Sequence, residues 1–289
     1  MRTAISVSVP AALAGVLLLT ACGGTEQSGA PASSGCRALP GSGNSDPARL
    51  ERDGVRIVGL CGDSPSEASY EIANASEETL AYTITFNLTN SAGQAMDVVD
   101  RTVSMVGAGE TVRRTLDLGA HEGATVSKVR SVPAREATSA DEPCPSSGMR
   151  VYADEGDAAM GLRVIGLHLE NCGKQTITLN GHPELQLLDG ERKLITGVKI
   201  LHGSGGISTG TGFDDPARPV TLKPGEAARS GLLWRNTTEM SEDGPVNVPY
   251  VRVLAKPGAA PVIVTPELDL GTTGKLGVSP WKADQGARG

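Results

Sequence analysis

Between Gly54 and Val132 apolar and polar residues alternate with a period of two. Tyr70 and Ile72 alternate with Ser69, Glu71 and Ala73; Tyr82, Ile84, Phe86 and Leu88 alternate with Thr83, Thr85, Asn87 and Thr89. A period of two puts one row of side chains on a core and the other in water, so these stretches predict strands. Asn74-Ala75-Ser76, Asn90-Ser91-Ala92-Gly93 and Ala108-Gly109-Glu110 carry turn residues between them, and Val112, Leu116 and Leu118 continue the pattern. Short strands at near-regular intervals, with no helical stripe, predict a small antiparallel sandwich over residues 36–133. Residues 134–143 carry almost nothing to bury and read as a linker.

The second half follows the same plan. Leu162, Val164, Leu167 and Leu169 run to Asn171, and Glu184-Leu185-Gln186-Leu187 runs to the turn Asp189-Gly190-Glu191. Val220 precedes Lys223-Pro224-Gly225-Glu226 and a strand that ends near Trp234. Gly109-Glu110-Thr111-Val112-Arg113 corresponds to Gly225-Glu226-Ala227-Ala228-Arg229, each downstream of a strand that ends in asparagine, Asn74 or Asn171. The halves read as two related sandwiches, the second carrying a Gly-rich insertion from Gly197 to Asp215. The expected fold is all-β: two small antiparallel β-sandwich domains, 36–133 and 144–282, followed by a tail at 283–289.

The N-terminal segment changes the picture. Met1-Arg2 precedes an apolar run from Ala4 to Leu19, with small residues before Cys22, the layout of a secretory signal peptide over residues 1–21. Leu19-Thr20-Ala21-Cys22 resembles the bacterial lipobox, which implies a diacylglycerol on Cys22 after cleavage and tethering to the cell membrane on its extracytoplasmic face. Two acyl chains on one residue give stable anchoring where one would not. Residues 22–35 hold no large apolar side chain and read as a flexible tether with a reach of about 20 Å. No later segment has the length of a transmembrane helix.

Charge and cysteine content narrow the classes. The net charge of −7 over 289 residues argues against nucleic acid, which calls for basic clusters. With Cys22 lipidated, Cys36, Cys61, Cys144 and Cys172 remain, an even count in a compartment that permits disulfides. Four cysteines allow three pairings; only Cys36 with Cys61 and Cys144 with Cys172 keep each bridge within one of the two expected domains. No Cys-x-x-Cys pair accompanies them to suggest zinc.

Residues of the second half carry a family resemblance. Asn171, Leu179-Asn180-Gly181-His182-Pro183, Leu187-Leu188-Asp189, Val220 to Ala227 and Leu233-Trp234 resemble the domain-of-unknown-function family numbered 4232. The resemblance covers residues 144–282 and implies an immunoglobulin-like β-fold of the kind found in actinobacterial secreted proteins and lipoproteins. It implies no activity. Cys172 beside Asn171, Ile177 where a cysteine is more usual and His182 where tyrosine is frequent depart from the family pattern.

Candidate chemistry is sparse. Gly206-Ile207-Ser208-Thr209-Gly210 has the spacing of a nucleophile elbow, but that motif needs a strand-to-helix turn and a later histidine, and no histidine follows Ser208. His168, His182 and His202 share the second domain at irregular separations, and no metal site is expected; no cofactor fingerprint is present either. Asp154-Glu155-Gly156-Asp157 and Asp214-Asp215 lack the spacing of a calcium loop. Two Trp, four Tyr and two Phe supply too few aromatic faces for a sugar-binding cleft, and Phe213 in the insertion is the aromatic expected to be exposed. The expectation is a non-catalytic binding or scaffolding module that contacts another envelope protein, through a mobile insertion loop bearing His202, Ser208 and Phe213 or through a sandwich face. The alternative is an envelope hydrolase using Ser208 or paired carboxylates.

Overall fold

A computed structural model describes residues 36–38, 50–61, 66–137, 143–238 and 244–284. The expected signal peptide, Cys22 and its tether lie outside the described residues. Twenty-two strands form the described fold.

The first sandwich contains β1 (Cys36–Ala38), β2 (Glu51–Arg52), β3 (Val55–Cys61), β4 (Glu67–Ala73), β5 (Leu80–Thr89), β6 (Ala95–Val106), β7 (Thr111–Asp117) and β8 (Gly123–Pro133). One sheet runs β1-β3-β4-β7 with β2 beside β3; the other runs β6-β5-β8. The alternating row of β5 is the centre of the core: Ile84 and Phe86 are fully buried and Tyr82 and Leu88 nearly so. They pack against Tyr70 and Ile72 of β4 and against Leu116 and Leu118. Cys36 and Cys61, opposite each other on β1 and β3, form a disulfide.

The second sandwich contains β9 (Met149–Ala153), β10 (Asp157–Ala159), β11 (Leu162–Asn171), β12 (Ile177–Leu179), β13 (Glu184–Leu188), β14 (Lys199–His202), β15 (Val220–Leu222), β16 (Ala227–Arg235), β17 (Val246–Val248), β18 (Tyr250–Leu254), β19 (Val262–Val264), β20 (Leu268–Gly271), β21 (Lys275–Val278) and β22 (Lys282–Ala283). Its large sheet runs β10-β11-β16-β21-β14, with β9 also pairing β11 and β22 also pairing β16. The first residue of the expected tail, Ala283, is thus part of the sheet, opposite Ala228. The other face of the sandwich is divided among β13-β18-β19, β12-β15 and β17-β20. Between them lies a core of Leu167, Leu169, Leu232, Trp234, Val251, Val253, Leu276 and Trp281. Both indoles donate to backbone carbonyls, Trp234 Nε1 to Asp269 and Trp281 Nε1 to Ala255, so neither buried N–H is orphaned. Cys144 and Cys172 form the second disulfide. The pairing of β14 with β21 is parallel, a departure from the antiparallel plan, because the insertion carries the chain to the sheet edge in the direction of β21.

The two halves share a buried device. Asn74, directly after β4, is 2 % exposed, and Asn171, the last residue of β11, is 1 % exposed. The backbone N–H of Asn74 donates to Glu110 O, and that of Asn171 to Glu226 O, both at 2.9 Å. Asn74 Nδ2 donates to Val106 O at 2.9 Å and to Glu78 O at 2.7 Å; Asn171 Nδ2 donates to Leu222 O at 2.9 Å and to Gln175 O at 2.8 Å. The glutamates close the matching turns, Glu110 Oε2 accepting from Gly107 N and Glu226 Oε2 from Lys223 N. Each asparagine amide donates to two or more backbone carbonyls, which is why a buried polar residue is tolerated there.

The sandwiches are docked on one another. Ala81 and Val132 meet Leu188, Tyr250 and Ile263 in a small apolar cluster. Lys128 and Arg130 both pair with Glu267. Residues 134–137, the start of the expected linker, form a packed turn: Glu136 is buried, accepts from Arg252 Nε at 2.7 Å, and its carbonyl accepts from Ile263 N at 2.8 Å.

Candidate functional site

Strand register builds a polar lattice on the outer face of the large sheet. Ile165, Leu167 and Leu169 of β11 point into the core, so Gly166, His168 and Glu170 point outward. Across the ladder, His168 lies opposite Tyr152 on one side and Arg229 on the other, and Arg229 lies opposite Lys282. Tyr152, His168, Arg229 and Lys282 therefore stand in one row across four strands. The next row toward the insertion has Gly166 opposite Gly231.

These two glycines leave a notch, and the neighbours occupy it. A Cβ on Gly166 would lie 2.2 Å from Asp154 Oδ2, and one on Gly231 would lie 2.5 Å from Phe213 Cζ. Asp154 Oδ1 accepts from Gly166 N at 2.7 Å while its Oδ2 lies 3.0 Å from His168 Nε2. His168 Nδ1 faces Asp284 Oδ2 at 3.9 Å, and the imidazole stacks on Tyr152 with centroids 5.0 Å apart. Both ring nitrogens of His168 thus face carboxylates, which with the stacked Tyr152 hold the ring in place.

The insertion is pinned to this face and is not the mobile loop that its glycine content suggests. Phe213, expected to be exposed, is 8 % exposed, because its ring fills the gap over Gly231 and packs in a small cluster with Ile207 and Leu233. Ser204 donates to Asp214 through both its N–H and its hydroxyl, and those bonds hold the Asp214 carboxyl below its ordinary range. Lys282 Nζ donates to Gly212 O at 2.9 Å and pairs with Asp215 at 2.7 Å; Arg235 Nε donates to Ile207 O at 2.9 Å. Ser208 sits half-buried in a turn that no helix follows, and among the described residues no hydrogen bond joins its hydroxyl to a histidine. His202 is exposed at the edge and stacks face to face on His182, centroids 4.1 Å apart. Burial first, and the neighbouring His202 second, push the pKa of His182 down. The three histidines of the domain therefore divide into a pair and a separate residue. Among the described residues no group of three or more His, Cys, Asp or Glu is placed to hold a metal ion.

Between the insertion and the sheet lies a cleft of about 290 Å3, bounded by Thr211, Phe213, His168, Arg229, Gly231 and Lys282. A second groove of about 280 Å3 runs between the two sandwiches, past Thr83, Thr102 and Ile263, and shares Asp154 with the cleft. Ser230 and Ser279 also border the cleft, but Ser230 Oγ donates to Ser279 O and Ser279 Oγ accepts from Gly231 N, so both hydroxyls serve the backbone.

Residues 144–282 match the family Domain of unknown function (DUF4232). The match takes in the lattice except Asp284, together with the insertion and the Cys144–Cys172 bridge, and leaves the first sandwich outside it. No curated protein and no solved structure matches the chain.

Of the residues expected at a contact surface, the second sandwich places Ser208 and Phe213 in the insertion over the large sheet and His202 at its edge. Tyr152, Asp154, Arg229 and Lys282 had no expected role there: they come from three separate stretches, and only strand register brings those stretches together. One signal was available. Gly166 and Gly231 sit in the middle of strands, where glycine marks a close approach by another group.

Proposed function

We propose that the protein is a cell-envelope lipoprotein, anchored through lipidated Cys22, whose two sandwiches form a non-catalytic binding module outside the membrane. The observation that carries the binding reading is the outer face of the DUF4232 domain. There a pinned insertion walls a cleft whose histidine and serines are committed to carboxylates and backbone, while Arg229 and Thr211 face the open space. The lipobox-like Leu19-Thr20-Ala21-Cys22 supports the anchoring, and the two intradomain disulfides fit an oxidising compartment.

The reading is tested in intact cells by placing a photo-crosslinking side chain at exposed Thr209 of the insertion, two residues before Thr211 of the cleft wall, or at exposed Glu77 in the first sandwich. Adducts from position 209 and none from 77 are expected, together with release of a Cys22→Ser variant into the medium. Retention of that variant on membranes would refute the anchor, and adducts equal at both positions would refute the site. Turnover on a hydrolase panel that disappears in Ser208→Ala would favour the enzymatic alternative instead.

A further inference from the structure

Arg229 stands at the centre of the outer-face row, flanked by His168 and Lys282, and is exposed. Each of its polar neighbours already has a partner: His168 has Asp154, Lys282 has Asp215, and Arg150 in the adjacent row has Glu170 at 2.6 Å. The Arg229 guanidinium makes no hydrogen bond or ion pair among the described residues, so its planar fork of donors is open to the cleft. On one side of it Lys282 is held by Asp215 and Gly212 O, which leaves Arg229 as the cation open to a ligand. Above it Thr211 Oγ1 accepts from Phe213 N, which leaves the hydroxyl proton to donate. Val164 and the ring of Phe213 give the far wall an apolar surface. Asp154 lines the cleft beside His168 and disfavours an anion at that end, so an anionic head is directed to Arg229.

We propose that this cleft binds a small organic acid, with its carboxylate or phosphate group on Arg229 and its apolar part against Phe213. An arginine presents two parallel N–H donors to such a group, the bidentate geometry that gives charge-assisted pairs their strength. A cleft of about 290 Å3 accommodates a ligand the size of one aromatic or short aliphatic acid. The proposal rests on the reading of this face as a binding surface and names the ligand class it takes.

The test is calorimetric titration of the full chain in detergent micelles with sodium benzoate, with inorganic phosphate and with neutral benzamide. Saturable binding of benzoate or phosphate, and none of benzamide, is expected; which of the two acids binds tells a carboxylate from a phosphate ligand. Arg229→Gln should weaken the bound acid at least about tenfold, the loss expected for one charge-assisted pair. Arg101→Gln, the same charge change in the first sandwich, should leave binding unaltered. Arg229 holds no other residue in place, so its variant should keep the parent's melting temperature; if it does not, Arg229→Lys and the shift of the Gly231 amide resonance on titration take its place. No binding of either acid, or equal binding by Arg229→Gln, overturns the proposal. The crosslinking at position 209 is indifferent to that result, so loss of the ligand class and loss of the binding face are told apart.

Discussion

His182 shows how a single residue carries the consequences of its packing. Its imidazole lies flat on His202 and is partly removed from water, and both effects disfavour its charged form. A histidine whose folded pKa is lowered takes up its proton more readily in the unfolded chain. Stability is therefore intact well above the ordinary value of 6.5 and declines as pH falls through it, levelling only below the folded value. The urea midpoint of the parent protein should drop between pH 8 and pH 5 by more than that of His182→Gln, whose profile lacks this contribution. Parallel profiles for the two would show that the stacked pair is energetically silent. Asn74 and Asn171 work in the opposite sense, as buried polar groups that stabilise because every carbonyl within reach of the amide is satisfied.

At the scale of elements, the insertion is a lid with a core of its own. Ile207 and Phe213 bury themselves against Leu233 on the outer face of the sheet, with Leu162, Val164 and Leu201 around them. Gly231 is required there because any side chain would displace the Phe213 ring. Phe213→Ala should destabilise the domain by about 3 kcal/mol, a common cost for emptying a buried aromatic site. It should also speed hydrogen exchange of the amides from Gly203 to Asp215 ahead of those of β16. Slow exchange in that segment after the substitution would mean that the Ser204–Asp214 and Lys282–Asp215 contacts hold the insertion by themselves. A deletion of the whole insertion would expose Leu233, so point substitutions at the cleft are the cleaner probe of binding.

At the scale of the molecule, the two sandwiches are joined by more than chain continuity. Tyr250, Ile263 and Leu188 meet Ala81 and Val132, Glu267 receives Lys128 and Arg130, and Arg192 Nη1 donates to Ser131 O at 3.1 Å. Glu136 is the pivot, since it is buried and binds Arg252 through its carboxylate and Ile263 through its carbonyl. Glu136→Ala should cost about 1–3 kcal/mol, less than the full penalty for breaking a buried ion pair because Arg252 keeps some contact with water. Calorimetry should then resolve two transitions where the parent shows one. A single transition in the variant would show that the apolar cluster alone couples the domains.

Alternation along β4, β5 and β11 and the turn residues between strands are local properties, and they determined the strands, their buried faces and the likeness of the halves down to Asn74 with Glu110 and Asn171 with Glu226. The family resemblance over residues 144–282 was equally legible, because it resides in turn and strand residues close together in the chain. Register is a different matter. Nothing in the local pattern says that Arg229 stands between His168 and Lys282, that Phe213 finds a notch over Gly231, or that residues 134–137 are packed rather than free. Those placements depend on which strands pair and by what offset, a choice made by the whole core at once, and with them only the tertiary structure decided where a ligand could sit.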